Sequence, residues 1–499
     1  MSLLTSASSS RNNTTEPDFL DRLEEMGDGR TVTVLAFLFV LACSFRRATI
    51  FPEGDIFWGA RNGWDILTTS GLNLTVPDQW NAVTLGENWA PNSWLWNVLL
   101  GLAAHGLGSY GFALLTFGTC LATSLLLWAY LRRIDMPPMT AFLTLVLCWL
   151  TVMAAFMNGR ATSSDFLMLM SFLYLSRRLR SKPVHLIMIS FLLTVLWINL
   201  HLSGLVAVGV FPAVVYALLN EEPVKRRLGI AALTFFASAA AVPLTPFGFG
   251  IFQKVMGVDS ASKGMIVEWS SVFDNPQASI GTIELLLASG VLLFILLRRK
   301  SFLCALAVLV LAVVSATTIR FTPYLLTVVL AALSCFRYHP EFPAVFRRFN
   351  RPKLIMKAVL FTFAAVMGVI AVVSGVQVAA DPEHMLPVHA SDFNAVPHGA
   401  VVASAQSAGS EMVLYRPDVL VTLDGRNDLM GRERFTKANL ILSWKDTGQL
   451  SEWLKTYHVT VVFSEATDAN AAAVKANMVK LGWAEEQSGN ASLFLAPTK

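Results

Sequence analysis

The chain has 499 residues, of which 54% are hydrophobic and only 14% are charged, and its mean hydropathy is +0.55. Soluble domains carry roughly 25% charged residues, so this composition excludes a water-soluble protein, and disordered, fibrous and disulfide-stapled chains with it. The net charge of +4 is small, and we expect no nucleic-acid partner. The composition predicts an α-helical polytopic membrane protein.

In chain order, residues 1–30 are polar and acidic, unlike the basic start of a signal peptide, and predict a short disordered cytoplasmic tail. The apolar runs that follow are long enough to cross a hydrocarbon core of ~30 Å. These eleven predicted spans lie near 31–50, 110–131, 138–157, 164–178, 184–199, 203–219, 227–245, 281–298, 301–319, 321–337 and 355–378. A further run at 93–107 is shorter and more polar, and it predicts a re-entrant or interfacial helix instead of a span.

The basic residues indicate the orientation of these spans. Loops at one end hold 17 Lys and Arg residues, for example at 132–133, 177–182 and 298–300, whereas the opposite loops within 51–322 hold five. Because cytoplasmic loops are enriched in Lys and Arg, the N-terminus is predicted to be cytoplasmic and the C-terminus extracytoplasmic. A transmembrane domain at 31–379 then has two long outer loops, 51–109 and 246–280.

The tail 380–499 has no long apolar run. Short β-like stretches at 401–404, 419–423, 459–464 and 492–496 alternate with helical stretches at 448–457 and 468–481. This alternation predicts a soluble extracytoplasmic α/β domain.

The first outer loop is rich in tryptophan. Six of the thirteen tryptophans fall in it: Trp58, Trp64, Trp80, Trp89, Trp94 and Trp96. Tryptophan prefers the membrane–water interface, so the loop is expected to lie along the bilayer surface and to shape a site that admits a lipid headgroup. For any single tryptophan, a simple membrane anchor is the alternative.

Two acids and an arginine are predicted to share one membrane face. Asp55 directly follows the first span, where a carboxylate is costly and often functional, and when ionised it would serve as a general base for an acceptor hydroxyl. Arg160 and Asp165 stand at the start of the fourth span. Together they suit deprotonation of an acceptor and binding of a phosphate, whereas helix capping is the alternative for both acids.

Other candidates on this face are weaker. Three further cations are candidates for a donor phosphate, with lipid-headgroup contact as the alternative: Lys254, Lys263 and Arg320. The candidates for the substrate site are Trp58, Asn199, His201 and Glu268. The run Asp-Gly-Arg-Asn-Asp at 424–428 is either a β-turn or a ligand or docking segment.

The order of several short motifs resembles that of a known family. They are Asp-Ile-Phe-Trp at 55–58, Pro-Asp-Gln-Trp at 77–80, Trp-Ala-Pro-Asn-Ser-Trp-Leu at 89–95, Gly-Arg at 159–160 before Asp165, Trp-Ile-Asn-Leu-His at 197–201, Thr-Pro-Phe-Gly at 245–248, Glu-Trp at 268–269, Arg320, and 424–428. This order is similar to that of GT-C-type glycosyltransferases, among them the aminoarabinose and protein O-mannosyl transferases, and of a bacterial branch related to them. The resemblance spans most of the chain.

The resemblance implies a bacterial inner-membrane enzyme that moves a sugar from a polyprenyl-phosphate donor to an extracytoplasmic glycan, lipid or protein, with Asp55 as the base. It leaves the donor sugar, the acceptor and a divalent metal open. The branch usually has a histidine near Ala60 and Asn-His-Glu where this chain has Pro91-Asn92-Ser93, which predicts altered specificity or little activity. The competing hypotheses are a lipid or solute transporter and a non-catalytic envelope or assembly protein that acts through 380–499.

Overall fold

The computed structural model describes residues 19–49, 53–70, 73–262, 266–277, 279–336, 354–380, 390–442, 446–465 and 471–497. Helices dominate 19–380, which we call the membrane domain, and a mixed sheet forms the core of 390–497, which we call the C-terminal domain. Between the second and third helices, residues 73–93 form a segment with little helix that we call the docking loop.

A helix occupies each of the eleven predicted spans, so the polytopic helical prediction is confirmed. The helices of the membrane domain are α1 (Phe19–Ala48), α2 (Asp55–Asp65), α3 (Trp94–Leu107), α4 (Ser109–Arg133), α5 (Pro138–Cys148), α6 (Ala154–Phe156), α7 (Thr162–Arg178), α8 (Pro183–Leu200), α9 (Ala207–Leu218), α10 (Val224–Ala241), α11 (Ile251–Ser262), α12 (Ile280–Arg298), α13 (Phe302–Thr317), α14 (Thr322–Leu333) and α15 (Leu354–Ala380). A π-helical turn, Trp149–Met153, joins α5 to α6.

Five helical segments of the described chain are long and apolar enough to cross a membrane on their own: Gly29–Ala48, Ser109–Arg133, Pro138–Phe156, Pro183–Leu200 and Ile280–Arg298. Several other predicted spans are shorter apolar helices.

The first helix corrects one prediction. The acidic segment 1–30 was expected to be a disordered tail, but α1 already begins at Phe19. Residues 1–18 lie outside the described residues.

The short run at 93–107 forms α3, a helix of 14 residues, which rises only about 21 Å and is too short for a span. It packs against α2 with the two backbones in direct contact. A Cβ atom on Gly63 would lie 1.7 Å from the Asn97 carbonyl oxygen, and one on Gly101 would lie 2.6 Å from the Trp64 nitrogen. Only glycine permits this approach, which fixes α2 above the membrane helices.

The C-terminal domain is the α/β domain that the tail pattern predicts. Its five-stranded sheet has the order β4-β3-β5-β7-β6, in which β4, β3 and β5 are parallel and β7 and β6 are antiparallel. The strands are β3 (Val401–Ala403), β4 (Leu420–Val421), β5 (Val461–Glu465), β6 (Ala484–Ser488) and β7 (Ala491–Leu495), after the short hairpin of β1 (Val76–Pro77) and β2 (Asn88–Trp89) in the docking loop. The helices are α16 (Gln406–Tyr415), α17 (Asn427–Leu442), α18 (Thr447–Thr456) and α19 (Ala471–Lys480).

The docking loop extends the edge of this sheet. The Val421 backbone nitrogen donates to the Trp80 carbonyl at 2.9 Å, and the Ala82 nitrogen donates to the Val421 carbonyl at 2.8 Å. Trp58, Trp80 and Trp89 are buried in one apolar cluster with side chains of the C-terminal domain. These three indoles therefore pack against the C-terminal domain and are not free to serve as simple membrane anchors, which was the alternative for a single tryptophan.

One fully buried arginine joins the docking loop to the C-terminal domain. The Arg426 guanidinium contacts an Asp78 oxygen at 2.7 Å and an Asp424 oxygen at 2.7 Å, and all three side chains are inaccessible to solvent. It also lies over the indoles of Trp80 and Trp89, with its central carbon 4.5 and 5.1 Å from the ring centroids. Burial acts to lower the pKa of Arg426, but the two carboxylates raise it.

Candidate functional site

A cavity of about 770 Å³ lies where the membrane domain, the docking loop and the C-terminal domain meet. Its size falls within the ~300–1,000 Å³ typical of small-molecule sites. Six of the site residues predicted from the sequence line it: Asp55, Trp58, Arg160, His201, Glu268 and Arg320. The topology thus gathers residues that are as many as 265 positions apart in the sequence.

Arg160 is the centre of the charged wall. Its Nη2 contacts Asp55 Oδ2 at 2.8 Å, and its Nη1 contacts Glu53 Oε2 at 2.6 Å and Glu268 Oε1 at 3.2 Å. Burial acts to lower the pKa of Arg160, but the carboxylates of Asp55, Glu268 and Glu53 raise it above its ordinary value. Arg160 is therefore a fixed positive charge beside Asp55.

Asp55 is the first residue of α2, and its side chain is 30% exposed. Its Oδ1 accepts a hydrogen bond from Trp58 Nε1 at 3.2 Å, while Oδ2 faces Arg160. A carboxylate has about four acceptor positions, so these two contacts leave Asp55 able to accept a proton from a ligand.

A second arginine continues the charged wall inward. Glu268 Oε2 pairs with Arg320 Nη1 at 3.0 Å, and Arg320 Nη2 lies 3.1 Å from His201 Nε2. Burial acts to raise the pKa of Glu268, but Arg160 and Arg320 hold it below its ordinary value. Because a guanidinium only donates, Nε2 of His201 is the acceptor, and the proton of a neutral imidazole stands on Nδ1.

Asp165 lies behind His201 and does not line the cavity. Its Oδ1 is 2.9 Å from His201 Nδ1 and accepts hydrogen bonds from Trp197 Nε1 at 2.7 Å and Ser203 Oγ at 2.5 Å. The two acids predicted to act together thus occupy different positions. Asp55 faces the cavity, whereas Asp165 orients the histidine that supports Arg320.

The C-terminal domain forms the opposite wall through 425–428 and α16. A Cβ atom on Gly425 would lie 2.8 Å from Asp55 Oδ1 and 2.8 Å from Trp58 Nε1, so a glycine lets this wall approach Asp55 directly. The 424–428 run therefore serves as both a turn and a docking segment, since Arg426 holds it to the docking loop while Gly425, Asn427 and Asp428 line the cavity.

Asp428 lines the cavity, whereas the predicted cation Lys254 does not. Asp428 Oδ2 accepts a hydrogen bond from Trp89 Nε1 at 3.2 Å, and Lys254 Nζ donates to the Ala90 carbonyl. Burial raises the pKa of Asp428, although Lys254 opposes this, and burial lowers the pKa of Lys254.

A further predicted residue, Asn199, does not line the cavity. Asn199 accepts a hydrogen bond from Trp94 Nε1 at 2.9 Å and donates to the Leu244 carbonyl, which fixes the end of α8. Lys263 lies outside the described residues.

Sequence reasoning missed part of the lining. Glu53 is two positions before Asp55 and shares its arginine, so adjacency to a candidate acid was an available signal. The amide residues Gln406 and Asn439 also line the cavity, and no local pattern sets them apart from helix-surface residues, whereas Asn92 belongs to the 91–93 run at which the sequence departs from the family motif. Among the described residues, no group of three His, Cys, Asp or Glu side chains is placed to hold a metal ion.

Comparison with known proteins finds solved structures that resemble this chain. The chain is similar to the crystal structure of ArnT from Cupriavidus metallidurans bound to undecaprenyl phosphate, at 11% identity and a TM-score of 0.49, over 94% of this chain and 98% of that chain. No protein-family model matches the chain, and no curated protein matches it. At this level of similarity, function is inferred from this chain's own residues.

Proposed function

We propose that this protein is a membrane glycosyltransferase that moves a sugar from a polyprenyl-phosphate donor to a hydroxyl of an extracytoplasmic glycan, lipid or protein. The observation that carries the proposal is the cavity itself. It places a partly exposed carboxylate, Asp55, beside the fixed cation Arg160, between apolar helices and a polar domain. A lipid-linked substrate needs such a site, because its chain belongs in the bilayer and its sugar in water.

In this proposal Asp55 is the general base. The acceptor hydroxyl donates a hydrogen bond to Asp55, which takes the proton as the acceptor oxygen bonds to the anomeric carbon of the donor. The bond from that carbon to the phosphate oxygen breaks, and polyprenyl phosphate leaves with the electron pair. A positioned base of this kind contributes about 10²–10⁴-fold to a rate.

Arg160 and Arg320 are the proposed contacts of the donor phosphate. Both line the cavity, and guanidinium groups bind phosphate oxygens through paired N–H donors. Glu268 forms ion pairs with both arginines. A bound phosphate would replace Glu268 as the partner of one of them. Asp165, through His201, keeps Nε2 available to Arg320 and is proposed to position that arginine. Lys254 and Lys263 are retained as candidates for the phosphate at the membrane surface.

The C-terminal domain lines the same cavity as the membrane domain. This favours a site shared by the two domains over the hypothesis of an envelope protein that acts through its C-terminal domain alone. Gly425 lies against Asp55 and Trp58, so the domain and the proposed base belong to one cavity.

The test is Asp55→Asn in proteoliposomes that hold the full chain, with an extract of bacterial membranes that supplies both the polyprenyl-phosphate sugars and the acceptor hydroxyls. We expect transfer, followed by mass spectrometry as loss of the lipid-linked sugar and release of polyprenyl phosphate, to fall about 10²–10⁴-fold, because the asparagine keeps the shape but cannot take the proton.

Asp65→Asn is the matched control, since Asp65 ends the same helix and pairs with Arg61 at 3.0 Å on a partly exposed surface. It should retain full transfer. Equal transfer by the Asp55→Asn and wild-type proteins would remove Asp55 from the chemistry, and no consumption of any lipid-linked sugar by the wild type would refute the function.

A further inference from the structure

The two walls of the cavity differ in chemistry. The membrane domain supplies the charges, with Arg160 and Arg320 among carboxylates. The C-terminal domain supplies mostly neutral groups: Gln406, Ser407, Gly425, Asn427, Phe435 and Asn439. The charged residue on that wall is Asp428, whose Oδ2 already accepts a hydrogen bond from Trp89 Nε1. This wall offers a phosphate hydrogen-bond donors but no positive charge, because no cation of the described C-terminal domain lines the cavity.

Two amide oxygens are left without partners at the cavity. Asn427 Oδ1 and Asn92 Oδ1 are buried, and neither accepts a hydrogen bond from any described residue. Both residues line the cavity, one from the C-terminal domain and one from the docking loop. A buried carbonyl oxygen without a donor costs free energy, so such atoms are expected to receive a hydrogen bond from a ligand.

The backbones that carry these amides are fixed. The Asn427 nitrogen donates to the Gly425 carbonyl at 2.9 Å, next to the buried Arg426 pair. The Asn92 carbonyl accepts from the Leu202 nitrogen at 3.2 Å, which ties the docking loop to the membrane domain. Preorganised acceptors favour a ligand with hydroxyl donors, because a ligand without them leaves the buried oxygens unpaired.

We propose that the amide wall, defined by Asn92, Gln406, Asn427 and Asn439, is a subsite for an uncharged, hydroxyl-rich group. This inference rests on the proposed function and assigns different parts of the substrate to the two walls of the cavity. The arginines face the phosphate, and the amide wall binds a sugar ring, either the sugar that is transferred or a sugar of the acceptor.

The experiment measures binding to the full chain in nanodiscs with three probes: undecaprenyl phosphate, undecaprenyl phosphate linked to glucose, and methyl glucoside added after the linked donor. The variants are Asn427→Ala and, from the other domain, Asn92→Ala. Each is expected to weaken binding of one sugar probe by about tenfold, the effect of one lost hydrogen bond, and to leave undecaprenyl phosphate within twofold.

The affected probe identifies the source of the hydroxyl group. Weaker binding of the linked glucose assigns the amide wall to the transferred sugar, and weaker binding of methyl glucoside assigns it to the acceptor. Asn490→Ala, in an exposed turn of the same domain, should change neither. Thermal unfolding shows whether each variant is folded. If one of the two variants does not fold, the other still tests the subsite.

Failure of the subsite and failure of the proposed function are separable. If neither variant changes either sugar probe while undecaprenyl phosphate still binds, or if no sugar binds to the wild type, the subsite is wrong. If sugars bind and depend on Asn427 but undecaprenyl phosphate does not bind, the subsite stands and the polyprenyl-phosphate donor is wrong.

Discussion

Arg426 offers the most demanding test of how the cavity is built. Arg426→Ala would leave the carboxylates of Asp78 and Asp424 buried and unpaired, because their shared guanidinium is lost. Removing one partner of a buried ion pair costs ~3–5 kcal/mol. At about 1.4 kcal/mol per factor of ten, docking of the loop to the C-terminal domain should weaken by roughly 10²–10³-fold or more.

Arg434→Ala is the matched control. Arg434 belongs to the same domain and pairs with Glu87 of the same docking loop, but these side chains are 39% and 45% exposed. An exposed pair is worth about 0–1 kcal/mol, so this variant should change docking by no more than about fivefold.

Hydrogen exchange with mass spectrometry measures the docking directly, since two backbone bonds join the segments, from Val421 to Trp80 and from Ala82 to Val421. Exchange in peptides covering 76–89 and 420–426 should accelerate in Arg426→Ala and stay near the wild-type rate in Arg434→Ala. A triple variant, Arg426→Met with Asp78→Asn and Asp424→Asn, should recover most of the protection, because it leaves no buried charge. Equal exchange in the two single variants would refute the reasoning.

Two further predictions concern other residues. Glu411 is buried, neither of its carboxylate oxygens has a hydrogen-bond partner among the described residues, and burial, followed by repulsion from Glu465, raises its pKa to about 9. The folded domain therefore keeps a proton that the unfolded chain releases above pH ~4.3, and its unfolding free energy should fall as the pH rises from there to about 9. Glu411→Gln should abolish that slope in thermal unfolding at pH 5 and pH 8, and an unchanged slope would contradict the assignment. Gly425→Ala should lower sugar transfer, because the new methyl group would lie 2.8 Å from Asp55 Oδ1 and displace that carboxylate. The melting temperature should change little. Full transfer by this variant would show that the cavity wall accommodates a methyl group at position 425.

The sequence was most informative where one physical property acts alone. Apolar length located the helices of the membrane domain, because the thickness of a bilayer sets that length. The distribution of Lys and Arg placed Asp55, Arg160, Glu268 and Arg320 on one face, and the structure brings them into one cavity.

The sequence was least informative where the partner of a residue is remote. Trp80 and Trp89 are residues of the type that anchors loops at a membrane surface, yet the C-terminal domain covers their indoles. Asp165 stands at the start of a predicted span, as Asp55 stands at the end of one, but its side chain contacts His201 and does not face the cavity. Gln406 and Asn439 acquire their position only from the meeting of two domains, which no local pattern encodes.

The separation of Asp78 and Arg426 along the chain, 348 positions, has a consequence for biosynthesis. The docking loop is made early, but the guanidinium that pairs with Asp78 is made only after the whole of the membrane domain has been synthesised. Until then the cavity lacks one wall, and Asp78 stays in contact with water. Completion of the cavity is therefore coupled to synthesis of the C-terminal domain, and we expect a product terminated before residue 424 to lack the wall that this domain supplies.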